Sequence, residues 1–188
     1  MFELASGYFF AVFSAIPLGL LMAQSKRLEY ILDPIVSTMY AMPRIALMPL
    51  IILIFGIGIS SKIFLVYLGC FFPILISVFQ GMRSVDSILV DMGRVFGAKG
   101  LSLVRHIYIP SILPNLIAGF RIALSIGLIM VVVGEFLVGN QGIGYQIAYE
   151  ADFFNTSGVL AWVFIVSFLS MTLTQLIRHF ENRMRYWQ

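Results

Sequence analysis

The sequence predicts an all-α fold, a polytopic transmembrane helical bundle of about five spans forming one domain over residues 1–188. Three observations lead there. The chain is 60% hydrophobic and 11% charged, with a mean hydropathy of +0.97, whereas soluble domains are about half apolar and about a quarter charged. Its apolar residues gather in runs long enough to cross a hydrocarbon core, which takes roughly 20 helical residues. The longest stretch ill-suited to lipid is 91–114, DMGRVFGAKGLSLVRHIYIPSILP, which carries Asp91, Arg94, Lys99 and Arg105 between two such runs.

The first span is expected over about 4–23, with Gly7, Pro17 and Gly19 inside it; spanning helices tolerate these residues. A polar link with Lys26 and Arg27 leads to a second span over about 34–55. Pro43 and Pro49 give it a kinked or irregular start. FGIGISSK makes a tight glycine turn before a short third span, about 63–79, with Pro73 inside. Residues 80–110 form a loop in which Asp86 caps a helix running to about Phe96 and Gly97 to Gly100 break it. A second short helix runs into Ile107, and Met92, Phe96, Leu103 and Ile107 supply one apolar side to the pair. The fourth span, about 113–133, carries Gly119, Ala123 and Gly127 at a spacing of four, a stripe that lets another helix approach closely. Residues 134–157 are turn-rich early and amphipathic later, and the fifth span is expected over about 158–177. A basic tail with Tyr186 and Trp187 suits a membrane interface.

Charge distribution sets the orientation. Five spans place Lys26, Arg27, Arg83, Arg94, Lys99, Arg105, Arg178, Arg183 and Arg185 on one side, and Lys62 with Glu3, Glu150 and Asp152 on the other. Lys and Arg favour the cytoplasmic face, so residues 80–106 and the C-terminus are expected on the cytoplasmic side, and the N-terminus outside. The N-terminus begins with an acid and does not read as a cleaved signal peptide. Cys70, the one cysteine, reads as a packed core thiol and excludes an internal disulfide.

Little points to an enzyme. His106 and His179 fall at the basic face without an acid or serine placed beside them in the membrane, and no Walker-type phosphate loop is present. No metal, cofactor or nucleic acid is expected; the lipid bilayer is the evident partner. Arg121 and Glu135 lie fourteen residues apart in or near the fourth span, on nearly one face and about 21 Å from each other. A charge at mid-bilayer costs about 2.5–3.5 kcal/mol or more, so each should meet protein or water. Two readings stand. Arg121 snorkels to the basic interface and Glu135 sits at the opposite one, or their face lines a translocation path with Glu135 near the outer gate. Arg44 has the same ambiguity near the kinked start of the second span. An enzyme using Arg121, Glu135 or Asp152 would need catalytic residue types clustered at one depth, and none is seen.

The loop carries the specific signal. Asp91-Met92-Gly93, then three residues, Gly97, nine residues, and Ile107-Tyr108-Ile109-Pro110 resemble the EAA coupling loop of ABC importer permeases: Glu-Ala-Ala, three residues, Gly, nine residues, Ile-x-Leu-Pro. The departures are Asp for Glu, Met-Gly for Ala-Ala and Ile for Leu. PRIALMPLIILIFGIGISSK, GCFFPILISVFQGMRSVD and LPNLIAGFRIALSIGLIMVVVGEFLVGNQGIGY extend the likeness to the nitrate, sulfonate and taurine branch, over nearly the whole chain. The resemblance implies a type I ABC importer permease that forms the translocation path for a small solute. It implies a homodimeric pair of permeases in a bacterial cytoplasmic (inner) membrane, separate ABC ATPase subunits that bind ATP, and an extracytoplasmic solute-binding protein. It further implies that Asp91, Met92, Gly93, Gly97, Ile107, Ile109 and Pro110 couple to the ATPase. An ATPase-independent channel or secondary transporter is the alternative, against which the loop spacing argues. The family usually has six spans, so the first is expected to be missing from these residues or to lie upstream of them.

Overall fold

The structure, a computed structural model, describes the backbone of residues 1–184 and the side chains of residues 1–177. The basic tail, with the side chains of Arg178, Arg183, Arg185, Tyr186 and Trp187, lies outside that range. Every regular element among the described residues is helical.

Helix α1 spans Phe2–Gln24 and absorbs Pro17 without ending. Ser25 then starts α2, Lys26–Ala41, its hydroxyl accepting from the Leu28 N–H. Met42 and Pro43 are extended, Arg44–Leu47 makes one 3-10 turn, and α3 runs Met48–Phe55 with Pro49 in its first turn. The two halves of this second span meet at 90°. The expected kink is therefore a full break at the second span's middle, because a proline at 43 forces Met42 out of the helical region.

Helix α4, Ile59–Arg83, is 25 residues long, so the third span is longer than the short one expected. After it come α5 (Ser87–Val95), α6 (Leu101–Leu103), a π-helical turn over Val104–Tyr108, and α7 (Ile109–Val138). Residues from Leu101 to Val138 form one helical run of 38 residues, well beyond the expected fourth span. Helices α8 (Ile143–Asp152) and α9 (Thr156–Met184) complete the described chain.

Helix α4 is the axis of the bundle, with half of its membrane window buried. On one side it meets α1 running parallel. A Cβ on Gly7 would touch Val66, and one on Gly19 would touch Val78. Ala11 and Ala15, between them, are fully buried. On the other side α4 meets α7 running antiparallel. There Gly119 faces Ser77, Gly127 faces Cys70 and Gly134 faces Lys62. Absent side chains let the backbones approach to dispersion distance, the main attraction available where lipid is as apolar as the helices. The Ser14 hydroxyl donates to the Tyr67 hydroxyl at 3.4 Å across the α1–α4 seam and the Cys70 thiol to the Ala123 carbonyl at 3.2 Å across the α4–α7 seam, while Tyr8 ties α1 to α7 by donating to the Phe120 carbonyl at 3.2 Å.

Ion pairs mark the two ends. Lys62 Nζ lies 3.0 Å from Glu3 Oε1, both largely buried, where α1 and α4 begin. At the other end Arg83 lies 2.6 Å from Glu29. Lys62 and Glu3, assigned to one side by charge, thus stand at the opposite end of the bundle from Arg83, assigned to the other.

Candidate functional site

The hairpin between α4 and α7 is built by four local rules. The Asp86 carboxylate accepts from the Ile88 N–H at 2.9 Å and starts α5. Gly97 (φ +86°) stops the segment, with the Ala98 N–H returned to the Gly93 carbonyl at 2.9 Å. Both Gly97 and Gly100 (φ +50°) occupy the left-handed region, where a side chain would be strained. Pro110 then sits in the first turn of α7, where its missing N–H is not needed.

The hairpin closes on Gly93. A Cβ there would overlap the Ile107 side chain and press on Leu103. Val90 and Leu103 are buried, and Ile107 is half-buried. The apolar side is thus divided differently from expectation. Leu103 and Ile107 turn inward, while Met92 and Phe96 turn to solvent, Phe96 at 85% exposure. The reason is that Gly93 takes the packing position between them, so the neighbouring turn positions face out. Ile88, Leu89, Val95 and Leu101 are exposed with them, making an apolar face at the tip of the hairpin. Asp91 is exposed beside it and pairs with Arg94 at 3.3 Å. Ile109 and Pro110 are exposed at the foot of α7. The structure therefore gathers Asp91, Met92, Gly93, Gly97 and Ile107 into one small unit, with Ile109 and Pro110 joining it to a span.

Arg121 and Glu135 remain on one continuous helix, about 21 Å apart along its axis. Arg121 is half-buried. Glu135 is 7% exposed, and its carboxylate accepts from the Gly144 N–H at 2.9 Å at the start of α8. Gly142 (φ +112°) makes this possible, since a Cβ there would strike that carboxylate. Glu135 is a helix cap supplied from a neighbouring helix, placing negative charge where the N-terminal dipole of α8 favours it. The cap escaped sequence reading because its partner lies nine residues away across a turn; the GIG at 142–144 was the available hint.

Arg44 stands at the 90° break. Its Nη2 donates to the Tyr40 carbonyl at 2.9 Å, and the guanidinium lies over the Tyr40 and Phe72 rings. Its buried Nε has no hydrogen-bond partner. Elsewhere His106 only turns back to Ser102 in its own helical turn. Among the described residues no group of acids, histidines or cysteine could hold a metal ion.

A helical membrane bundle with a glycine-broken hairpin, apolar at its tip, between two spans has the build of a transporter's membrane subunit. Residues 15–186 match the family of binding-protein-dependent transport system inner membrane components, and the chain belongs to it. It is 32% identical over 188 residues to the putative aliphatic sulfonates transport permease protein SsuC of Bacillus subtilis (strain 168), covering 100% of this chain and 68% of that protein. It is 31% identical over 179 residues to the taurine transport system permease protein TauC of Escherichia coli (strain K12), covering 95% and 65%. The fold matches a chain of the MetNI methionine ABC transporter, in inward-facing conformations (CY5 native crystal form), with a TM-score of 0.84 at 21% identity, covering 97% of this chain and 92% of that one.

Proposed function

We propose that this chain is the membrane-spanning permease subunit of an ATP-driven importer for a small sulfonate- or taurine-like solute. The observation that carries the reading is the apolar tip of the hairpin, with Met92, Val95, Phe96 and Leu101 all more than half exposed outside the spans. Apolar surface of this kind is stabilised by a partner's groove. The partner is a separate ATPase subunit, which binds the ATP; the permease itself performs no catalysis. Asp91 and Arg94 rim the docking face, Gly93 and Ile107 keep the hairpin stiff, and Ile109 and Pro110 pass its displacement into α7.

The sulfonate and taurine permeases among its relatives support the solute class. A second copy of the chain completes the path, in keeping with α9, whose membrane window has no buried residue. The basic end faces the cytoplasm, and a solute-binding protein docks at the other. Glu135 fastens α8 at that outer end, close to where a gate would open, and the half-buried Arg121 borders the path. The test is capture of the ATPase on this chain from membranes. Met92→Asp with Phe96→Asp is expected to abolish capture while the permease still inserts and folds. Full capture by that variant would overturn the docking assignment.

A further inference from the structure

The break in the second span puts a charge at an unusual depth. The Phe72 ring beneath the Arg44 guanidinium is close to the midpoint of α4, roughly 16–20 Å from either end. Among the described residues no carboxylate pairs with Arg44. Glu3 is held by Lys62 and Glu135 by the Gly144 N–H, so the acids nearest to the membrane interior are already engaged. One Arg44 donor is bound to a carbonyl, and Nε–H is enclosed with no acceptor. Two aromatic faces hold the plane of the guanidinium, at 5.1 and 5.6 Å.

Three features converge here. The guanidinium has no carboxylate partner among the described residues, its Nε is buried without an acceptor, and the backbone beside it at Met42 and Pro43 is extended rather than helical. Unwound backbone at membrane depth is tolerated where it borders protein or a water-filled cavity, not lipid. The same holds for an unpaired cation. Tyr40, Pro43 and Ile45 are exposed around the break, so the described residues leave this side of the span uncovered.

The geometry points to Arg44 as the anion-recognising residue of the translocation path. Its guanidinium takes the oxyanion head of a small solute in transit, a sulfonate or a group of the same charge and shape. The solute supplies the counter-charge at the Nη nitrogens, the enclosed Nε lying out of its reach, and the planar fork of arginine suits paired oxygens. Lipid headgroups are excluded as the source by depth, since they lie at the interfaces. The inference rests on the permease reading given above, and it adds a residue and a charge preference to it.

The test is thermal unfolding of the full chain purified with its bound subunits, followed by intrinsic fluorescence. Sodium ethanesulfonate is compared with the uncharged ethyl methyl sulfone, each at about 20 mM and at ionic strength matched with sodium chloride. Ethanesulfonate is expected to raise the midpoint by about 2 °C or more over the sulfone in the native protein. The same shift is expected in Lys26→Gln, which removes an exposed charge at the basic end. Arg44→Gln should lose the shift, and Arg44→Lys should keep less than half, because an ammonium has no planar fork. Equal midpoints for the two additives in the native protein would sink the inference. So would an undiminished shift in Arg44→Gln, or in Arg44→Lys if the glutamine variant does not fold. A shift lost equally in Lys26→Gln would mark diffuse surface charge and overturn it as well. ATPase capture by the hairpin is read on the same preparations. Lost capture with a retained shift strikes the permease reading, and retained capture without the shift strikes this one.

Discussion

At the scale of single residues, buried charges are where this chain commits most strongly. Glu135 is enclosed at the end of α7 and satisfied by a backbone N–H at the start of α8. A hydrogen bond to a buried charged group is worth about 1.5–3 kcal/mol. Glu135→Ala should therefore lower stability by about that amount, and Glu135→Gln, which keeps an acceptor, by less. Limited proteolysis should report the loss as faster cutting at 139–142, and unchanged cutting would remove the cap from the account. Sequence reading found this glutamate at a span boundary but could not supply its partner, because hydropathy says where a charge lies in depth and nothing about which turn folds back over it. Arg44 was ambiguous for the same reason. Its environment is created by a 90° break whose angle no local pattern states.

At the scale of elements, glycine and alanine placement decides which helices touch. The stripe Gly119, Ala123, Gly127 was legible as a packing face, and it lies against α4 as such spacing implies. The matching stripe Gly7, Ala11, Ala15, Gly19 on α1 has the same period and was passed over, because its glycines read as tolerated irregularities beside Pro17. Substituting Gly127 with leucine would drive the side chain into Cys70, Leu4 and Val66. Overpacking of this kind costs about 1–3 kcal/mol. Gly127→Leu should lower the unfolding midpoint in detergent, whereas the same change at Gly58, where a Cβ meets nothing within 4 Å, should leave it nearly unmoved. The hairpin was legible in its cap and its glycine breaks, since these are local rules. Its outward face was not, because Gly93 packs through having no side chain, a feature that a search for apolar side chains overlooks.

At the scale of the whole molecule, the number and order of spans followed from hydropathy. Among the described residues there are four helices long and apolar enough to cross a membrane, or five if the bent pair α2 and α3 makes one span. Charge counting anticipated which residues share an end, and the Lys62–Glu3 and Arg83–Glu29 pairs agree with it. The lengths were less legible: α4 and α7 both run past their apolar cores, carried on by packing and by the turn that follows. Orientation can be tested with single cysteines placed in a Cys70→Ser background. Ser87→Cys should react with a membrane-impermeant thiol reagent from the cytoplasmic side and Asn140→Cys from outside; the reverse pattern would invert the topology.

The position of α4 between two unlike neighbours also has a consequence for how the chain is made. Its α1-facing side can be covered as soon as α4 leaves the ribosome, since α1 has already been synthesised. Its other side, with Gly69 and Gly81, waits for residues 112–134 of α7. At ordinary elongation rates that is an interval of roughly 3–10 s. During it the nascent chain is a half-built pair of parallel helices with one seam closed and one open to lipid, and the antiparallel helix that closes it arrives only after the hairpin has been made.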